Sequence, residues 1–186
     1  MNVYDFDKTI YEGDSSVDFF VFCLFQYPLL LFYIPYQLLF IVAYKFHLCN
    51  KEKEKSAFFS FIKFIPNLNE KVQLFWENNI KHIADWYLKQ QREDDVIISA
   101  SPEFLLSHAC KMLGISRLIA TKVDEKKGIL LGRNCYGEEK VHRFNHFFFN
   151  ESVESFYTDS YSDAPMARLA KHSYIVKNGN IKKFTN

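Results

Sequence analysis

Asp5-Phe6-Asp7-Lys8-Thr9 places two carboxylates two positions apart, directly after the short apolar start Val3-Tyr4. In an extended strand, residues i and i+2 point to the same side, so both carboxylates can face one pocket where the strand ends. Two like charges at that distance repel, and a hard divalent cation such as Mg²⁺, which takes oxygen ligands, relieves the repulsion. A carboxylate held against a phosphate can also attack it and form an aspartyl-phosphate. A D-x-D pair occurs by chance in many loops, so its weight depends on the segments that follow.

Three further polar segments follow in order along the chain. An apolar stretch at 95–99 reads as a buried strand that ends in the hydroxyl of Ser99, and Ala100 then leads into a helix. Small residues and free backbone N–H groups at a strand-to-helix turn suit a phosphate. Lys140 lies in the first turn of a predicted amphipathic helix, and Asp159 and Asp163 lie in a polar loop after another strand. Each of these polar groups therefore lies at or close to the boundary of a predicted element.

Each of these residues also has a purely structural interpretation. The aspartates can serve as turn or loop residues, and Ser99 can serve as a helix-capping hydroxyl. Lys140 can be a solvated helix lysine, with Lys126, Lys127 and Arg133 as nearby alternatives for a phosphate-binding cation. The functional interpretation depends on all the segments occurring together.

The order of an aspartate pair, a serine, a lysine and a second aspartate pair resembles the four motifs of the haloacid dehalogenase (HAD) superfamily of phosphatases. The resemblance involves both ends of the chain and implies two-step phosphoryl transfer with Mg²⁺ as cofactor. It implies that Asp5 is the nucleophile. Asp7 would protonate the leaving oxygen and later deprotonate the attacking water.

The same resemblance assigns the remaining site residues. The phosphate-binding groups would be Phe6, Ser99, Ala100 and Lys140. Mg²⁺ would be held by Asp5, the backbone carbonyl of Asp7, and Asp159. Asp163 would position a metal-bound water or Lys140.

Strand patterns alternate with helical patterns over the two ends of the chain. The strands are predicted at 2–6, 95–99, 117–121, 153–158 and 173–177, and the helices at 102–113, 138–148 and 164–171. This alternation predicts an α/β fold with a Rossmann-like, mostly parallel sheet, in which ligands bind beyond the carboxyl ends of the strands. A small hairpin is expected within 122–135. Segments 1–13 and 93–186 are predicted to form the catalytic core, and 14–92 a strongly hydrophobic helical cap.

The run from Phe19 to Tyr44 contains no charged side chain. It is long enough for a membrane segment, but Pro28 and Pro35 are unusual in a simple span. If Asp5 and Asp159 bind one ion, both ends of the run lie on the same side of any membrane. We therefore expect a membrane-inserted hairpin at 19–44 or an interfacial helix pair. The alternative is the buried core of a soluble cap.

The apolar cap and the Asn-Gly hairpin at the end of the chain narrow the resemblance. With these two features the chain is similar to the HAD phosphatases represented by phosphatidylglycerophosphatase C. This resemblance implies a lipid phosphate such as phosphatidylglycerophosphate as substrate. Two alternatives stay open. One is a soluble HAD phosphatase of a small metabolite such as phosphoserine. The other is a membrane-associated binding protein with an inactive site.

Composition limits the partners and the compartment. The formal net charge is +1, which gives no electrostatic footprint for nucleic acid. The four cysteines are scattered without a C-x-x-C pair, as expected for reduced thiols. No secretory signal is expected, because the nucleophile strand is predicted to begin at residue 2. These features favour the cytoplasmic face of the cell membrane, with the cytoplasm as the alternative.

Overall fold

The computed structural model describes residues 1–185, and a six-stranded sheet forms its centre. The strands are β1 (Asn2–Tyr4), β2 (Val96–Pro102), β3 (Arg117–Thr121), β4 (Val123–Asp124), β5 (Ile129–Leu130), β6 (Val153–Thr158), β7 (Ala170–Lys177) and β8 (Asn180–Lys183). The order in the sheet is β3-β2-β1-β6-β7-β8, with only the β7–β8 pair antiparallel, and β4 and β5 form a separate hairpin. The predicted α/β class with a mostly parallel sheet is confirmed.

Five helices lie between β1 and β2, and three more are distributed over the rest of the chain. They are α1 (Ser15–Gln26), α2 (Ile34–Lys45), α3 (Lys51–Phe59), α4 (Leu68–Asn79), α5 (Asp85–Leu88), α6 (Glu103–Met112), α7 (Glu138–Phe147) and α8 (Ala164–Ala167). Short 3₁₀ turns occupy Pro28–Tyr33, Ser60–Phe64, Ile80–His82 and Tyr161–Asp163. The helices α1–α5 lie within the segment 14–92 assigned to the cap. The exact bounds of that domain stay a prediction.

The strand predictions follow the apolar runs closely, whereas the last helix differs. The predicted helix at 164–171 ends at Ala167, because β7 begins at Ala170 and pairs with β6 at Val153. Backbone pairing with a neighbouring strand outweighs the local helical pattern there. After β7, Asn178 and Gly179 both have positive φ angles, 49° and 75°, as a two-residue hairpin turn requires.

The inserted helices share one hydrophobic core with the sheet. Phe19 of α1 and Phe75 of α4 belong to the same buried cluster as Tyr4 of β1 and Ile97 of β2. Trp76 of α4 is fully buried, and its indole N–H donates to the backbone oxygen of Leu105 in α6 at 2.7 Å. This continuity fixes the position of the insertion relative to the carboxyl ends of the strands.

The apolar run divides into two halves with different surroundings. The first half, α1, packs Phe19, Phe20 and Cys23 into the protein core. One face of the first arm of the predicted hairpin at 19–44 therefore packs against protein, and membrane contact through 19–44 stays a prediction. The second half, Pro28–Lys45, is one helical stretch long and apolar enough to cross a membrane by length and composition alone, and only 11% of it is buried.

A buried carboxyl at the start of β2 predicts a pH-dependent stability. Asp95 is fully buried; its Oδ2 accepts the N–H of Arg92 at 2.9 Å, and its Oδ1 has no hydrogen-bond partner among the described residues. Burial raises the pKa of Asp95 to about 6. The folded state thus holds this proton more tightly than the unfolded state. The protonated Asp95 therefore contributes its full share to the free energy of unfolding below the ordinary Asp pKa. This contribution is lost as the pH rises to about 6, where Asp95 ionises in the folded protein.

We expect Asp95→Asn to stabilise the protein by about 1–3 kcal/mol at neutral and alkaline pH, since the amide carries no charge to desolvate. Thermal unfolding at pH 5 and pH 8 should show a larger gain at pH 8. The matched control is Asp94→Asn, because the Asp94 side chain is 51% exposed. A gain of the same size at both pH values would contradict the charge-burial explanation.

Candidate active site

A buried lysine joins two of the predicted site carboxylates. Lys140, only 1% exposed, lies in the first turn of α7 after Gly137, which begins the helix with a φ of 57°. Its Nζ lies 3.2 Å from Asp5 Oδ1 and 2.6 Å from Asp163 Oδ2. A buried ammonium is stable only when paired, and here both partners come from loops after parallel strands of the sheet. The structure thus brings residues 5, 140 and 163 together.

Asp163 accepts a second hydrogen bond besides the one from Lys140. The hydroxyl of Thr158 at the end of β6 donates to Asp163 Oδ2 at 2.9 Å, the same oxygen that accepts from Lys140. The other oxygen, Oδ1, is buried and has no hydrogen-bond partner among residues 1–185. It is therefore free to accept a hydrogen bond from a bound water.

Asp7 lies in a different set of hydrogen bonds. Its Oδ1 accepts the backbone N–H of Ser15 at 2.8 Å, just after the Asp14 cap of α1, and its Oδ2 accepts the hydroxyl of Ser101 in β2. Ser101 in turn contacts Ser16 at 3.0 Å between the hydroxyl oxygens. Asp7 thus lies where the core strand and the first helix of the insertion meet.

The two N-terminal aspartates have raised pKa values with a common main cause. For Asp5 the main cause is burial, which raises its pKa. The ammonium of Lys140 lowers the pKa of Asp5 but only partly offsets this rise, because the nearby carboxylates of Asp163, Asp159 and Asp7 raise the pKa further. Burial disfavours the charged form of Lys140, but Asp5 and Asp163 together raise its pKa above the ordinary value. The lysine is therefore a cation at neutral pH.

For Asp7, burial and then the charge of Asp14 raise the pKa to about 6, while bonds from Ser101 and Ser15 oppose the rise. A carboxyl group with a pKa close to neutral can both give and accept a proton under physiological conditions. The Asp7 carboxyl therefore exchanges its proton close to neutral pH.

Of the predicted phosphate-binding groups, the Phe6 N–H and the Lys140 ammonium contact Asp5 directly. The backbone N–H of Phe6 donates to Asp5 Oδ1 at 2.8 Å, and the Phe6 side chain is fully buried. The hydroxyl oxygen of Ser99 accepts the N–H of Ser101 at 3.1 Å, so its own proton stays available as a donor. The oxygen of Ala100 accepts from a cap lysine, Lys55, at 2.8 Å.

Asp159 is positioned less directly. Its carboxylate is partly buried and influences Asp5 electrostatically, yet it makes no ion pair with Lys140 at 4.0 Å or less. Burial raises its pKa, whereas Lys177, Lys8 and Lys140 oppose the rise. The backbone oxygen of Asp159 accepts a hydrogen bond from Lys177, and both lysines 8 and 177 line a cavity of about 460 Å³ beside it.

The donors present fit a hard divalent ion only if backbone and water oxygens complete its coordination. Within residues 1–185, no three His, Cys, Asp or Glu side chains are grouped closely enough to hold a metal ion by themselves. The predicted set of Asp5, the Asp7 carbonyl and Asp159 has this mixed character. The unsatisfied Asp163 Oδ1 adds an acceptor for a metal-bound water. The neighbouring carboxylates raise the pKa of Asp5, and a divalent ion would neutralise their negative charge.

Two residues of the site were missed by the sequence analysis. Ser101 donates to Asp7, and its position two residues after Ser99 on one strand could have indicated that both side chains face the same pocket. Lys55 lies in the alternating charged stretch Lys51-Glu52-Lys53-Glu54-Lys55, and nothing in its spacing marks it as different from Lys53. One further residue, Lys8, has a φ of 56°, a left-handed conformation that the loop after Asp7 requires.

Comparisons with known proteins identify the family and the fold. Residues 3–168 match a family described as haloacid dehalogenase-like hydrolase. A protein of unknown function from Bordetella pertussis Tohama I has a similar structure, with a TM-score of 0.77 and 16% identity over 93% of this chain and 87% of its own. A phosphoserine phosphatase, solved as a phospho-aspartyl intermediate analogue, aligns with a TM-score of 0.57 and 16% identity over 92% of this chain and 83% of its own.

One curated relative matches in sequence. A histidinol-phosphatase from Neisseria meningitidis serogroup C (strain 8013) is 27% identical in an alignment of 96 residues, and the match covers 45% of this chain. The match covers 43% of that protein, so the chain spans less than half the length of this relative.

Proposed function

Because the chain belongs to the haloacid dehalogenase-like hydrolases, we propose that it hydrolyses a phosphomonoester through an aspartyl-phosphate on Asp5. The observation that carries this proposal is the buried Lys140 ammonium between Asp5 and Asp163, and the raised pKa of Asp7 is consistent with it. We propose further that the ester is a lipid phosphate, reached from a membrane surface.

In the first step, a carboxylate oxygen of Asp5 attacks phosphorus, and the bond from phosphorus to the ester oxygen breaks. Asp7 gives its proton to the departing alkoxide, which leaves as an alcohol. Lys140 and the hydroxyl of Ser99 bind the phosphate oxygens, whose charge shifts as the transition state forms. Ser101 and the Ser15 N–H keep the Asp7 carboxyl in place during this transfer.

In the second step, Asp7 accepts a proton from a water molecule as that water attacks phosphorus. The bond between phosphorus and Asp5 then breaks, releasing inorganic phosphate and restoring the Asp5 carboxylate. A Mg²⁺ ion held by Asp5, the Asp7 carbonyl and Asp159 would supply positive charge against the phosphate oxygens. Asp163 keeps Lys140 aimed at Asp5 through both steps.

The lipid part of the proposal rests on the inverted polarity of α2. Gln37 is the buried residue of this helix, 4% exposed, and its side-chain amide donates to the backbone oxygen of Phe58 at 2.9 Å. Leu38, Leu39 and Val42 are by contrast more than half exposed. A helix that turns its polar residue inward and its leucines outward exposes an apolar surface of the kind that marks an interaction site.

We propose that this apolar surface contacts lipid. Lys45 ends α2, and Lys51 and Lys53 follow in α3, so basic residues adjoin the apolar helix as they do in segments that meet anionic headgroups. The partner would be the cytoplasmic face of the cell membrane, contacted through 28–45 rather than through the whole of 19–44. Both chain ends would lie on that one side.

A second candidate is a soluble phosphatase of a small metabolite. It is favoured by the likeness to phosphoserine phosphatase and by the match to a histidinol-phosphatase. In that case the exposed face of α2 would need another partner. The two candidates share the chemistry at Asp5 and differ in the leaving group.

A direct comparison of substrates separates the candidates. The purified protein with Mg²⁺ is expected to release phosphate faster from phosphatidylglycerophosphate in mixed micelles than from phosphoserine or histidinol phosphate at equal concentration. The physical reason is that a lipid substrate gains binding energy from the α2 surface, which a small ester cannot contact. Equal or faster turnover of a small ester would overturn the lipid proposal and leave the phosphatase proposal standing.

A further inference from the structure

A cavity of about 320 Å³ continues from Asp7 into the insertion. Asp7 and Ser101 form part of its wall on the core side. Its wall on the insertion side carries charges of both signs, from Asp14, Lys51, Glu54 and Lys55. Ile41 of α2, which belongs to the exposed apolar face, also lines it. The cavity thus connects the proton donor of the proposed reaction with the apolar helix. Because Asp7 protonates the leaving group in the proposed reaction, a leaving group held beside Asp7 would lie at this cavity.

Lys55 is a cation without an anionic partner in this wall. Its Nζ donates to the backbone oxygen of Ala100 at 2.8 Å and to Asn134 Oδ1 at 3.0 Å, both neutral oxygens. Within residues 1–185, no carboxylate lies within 4.0 Å of the Lys55 ammonium, whereas its neighbour Lys51 pairs with Glu54 at 2.8 Å.

The surroundings of Lys55 are unfavourable for an isolated charge. Burial lowers its pKa to about 8, and the charge of Lys51 acts in the same direction, while the more distant Asp7, Glu54 and Asp14 oppose the change. A bound anion would relieve this situation, because an opposite charge at close range favours the ammonium form. Asn134 is itself fixed by the hydroxyl of Thr121 at 3.0 Å, so the lysine head is held in one place.

From this arrangement we infer that Lys55 binds a second anionic group of the substrate, located on the leaving group beyond the phosphomonoester. The substrate class is then a phosphomonoester whose alcohol carries another phosphate or a carboxylate, with any apolar remainder leaving the cavity along Ile41. This inference deepens the proposed function and rests on it for the identity of the first phosphate. Lys55 is a specificity-determining residue, distinct from Lys140, which faces Asp5.

The test is equilibrium binding to the catalytically blocked Asp5→Asn protein, using glycerol 3-phosphate and glycerol 1,3-bisphosphate in the presence of Mg²⁺. The parent protein is expected to bind the bisphosphate about tenfold tighter, the contribution of one additional charge-assisted hydrogen bond. Adding Lys55→Gln should reduce the preference to about twofold, the statistical factor for two equivalent ends. Lys55→Arg should retain the preference, because it keeps the cation.

Lys53→Gln is the matched control, since Lys53 lies on the same helix with an exposed side chain, and it should leave the preference unchanged. A parent protein without any preference would overturn the inference. So would a Lys55→Gln variant that binds both ligands equally more weakly, because that pattern indicates a contact to the reacting phosphate or a purely structural role. If the blocked protein shows the expected pattern but the wild-type enzyme releases no phosphate from either ester, the anion subsite stands and the proposed hydrolysis falls.

Discussion

Replacing Asp5 by Asn is expected to lower phosphate release by about 10⁴- to 10⁶-fold while the protein stays folded. An amide oxygen cannot serve as the nucleophile, so no aspartyl-phosphate forms. The fold should tolerate the change, because the amide oxygen of the new side chain can still accept the Phe6 N–H and because Lys140 keeps its ion pair with Asp163. The measurement is phosphate release from p-nitrophenyl phosphate with Mg²⁺, together with thermal unfolding of the variant.

The Asp94→Asn variant provides the comparison for this loss, since that carboxylate is exposed and ion-pairs with the chain's amino terminus rather than with the site. It should retain wild-type turnover. An Asp5→Asn protein with wild-type turnover would refute the aspartyl-phosphate mechanism. A variant that fails to unfold cooperatively would instead show that Asp5 has a structural role.

The double substitution of Leu39 and Val42 by Asp is expected to reduce binding to anionic liposomes by at least about 100-fold. The two side chains are 62% and 51% exposed and three positions apart, so they lie on one face of α2. Each would otherwise bury a hydrocarbon group in lipid, worth about 1.5–3 kcal/mol. The measurement is cosedimentation with vesicles at low and high salt.

A matched variant is Leu74→Asp, because Leu74 is an exposed leucine on α4, outside the apolar helix. It should sediment with vesicles as the wild type does. Hydrolysis of p-nitrophenyl phosphate should be unchanged in all three proteins, since none of these side chains lines the cavity beside Asp7. A wild-type protein that stays in the supernatant would contradict membrane contact and favour the soluble phosphatase.

The sequence by itself predicted the strands whose side chains are apolar on both faces. Ile97 and Ile98 in β2 and Phe156 in β6 are buried because a parallel sheet covered by helices leaves no wet face, so a short apolar run has few other places to go. The order of the polar segments after these strands placed the candidate residues at one edge of the sheet. The carboxyl ends of parallel strands meet there whatever the intervening chain does.

Other features depended on contacts between distant segments. The hydrogen bonds that hold Asp7 come from Ser15 and Ser101, and only packing of the insertion on β2 brings these residues together. The short α8 ends where β7 pairs with β6, a long-range effect that a local pattern does not contain.

The apolar insertion shows most clearly that the sequence pattern alone does not predict which contacts a segment makes. An uncharged run indicates that its side chains avoid water, but it does not say whether they meet protein or another apolar surface. Tertiary packing decided this, because Phe19 and Cys23 found partners in α4 and the sheet core, whereas Leu39 and Val42 did not. Likewise, Lys53 and Lys55 belong to one charged stretch. Only the packing of α3 near β2 leaves Lys53 in solvent and brings Lys55 to the backbone oxygen of Ala100. Composition set the amount of apolar and charged surface, and the packing of the helices determined which part of it was left to bind a partner or a substrate.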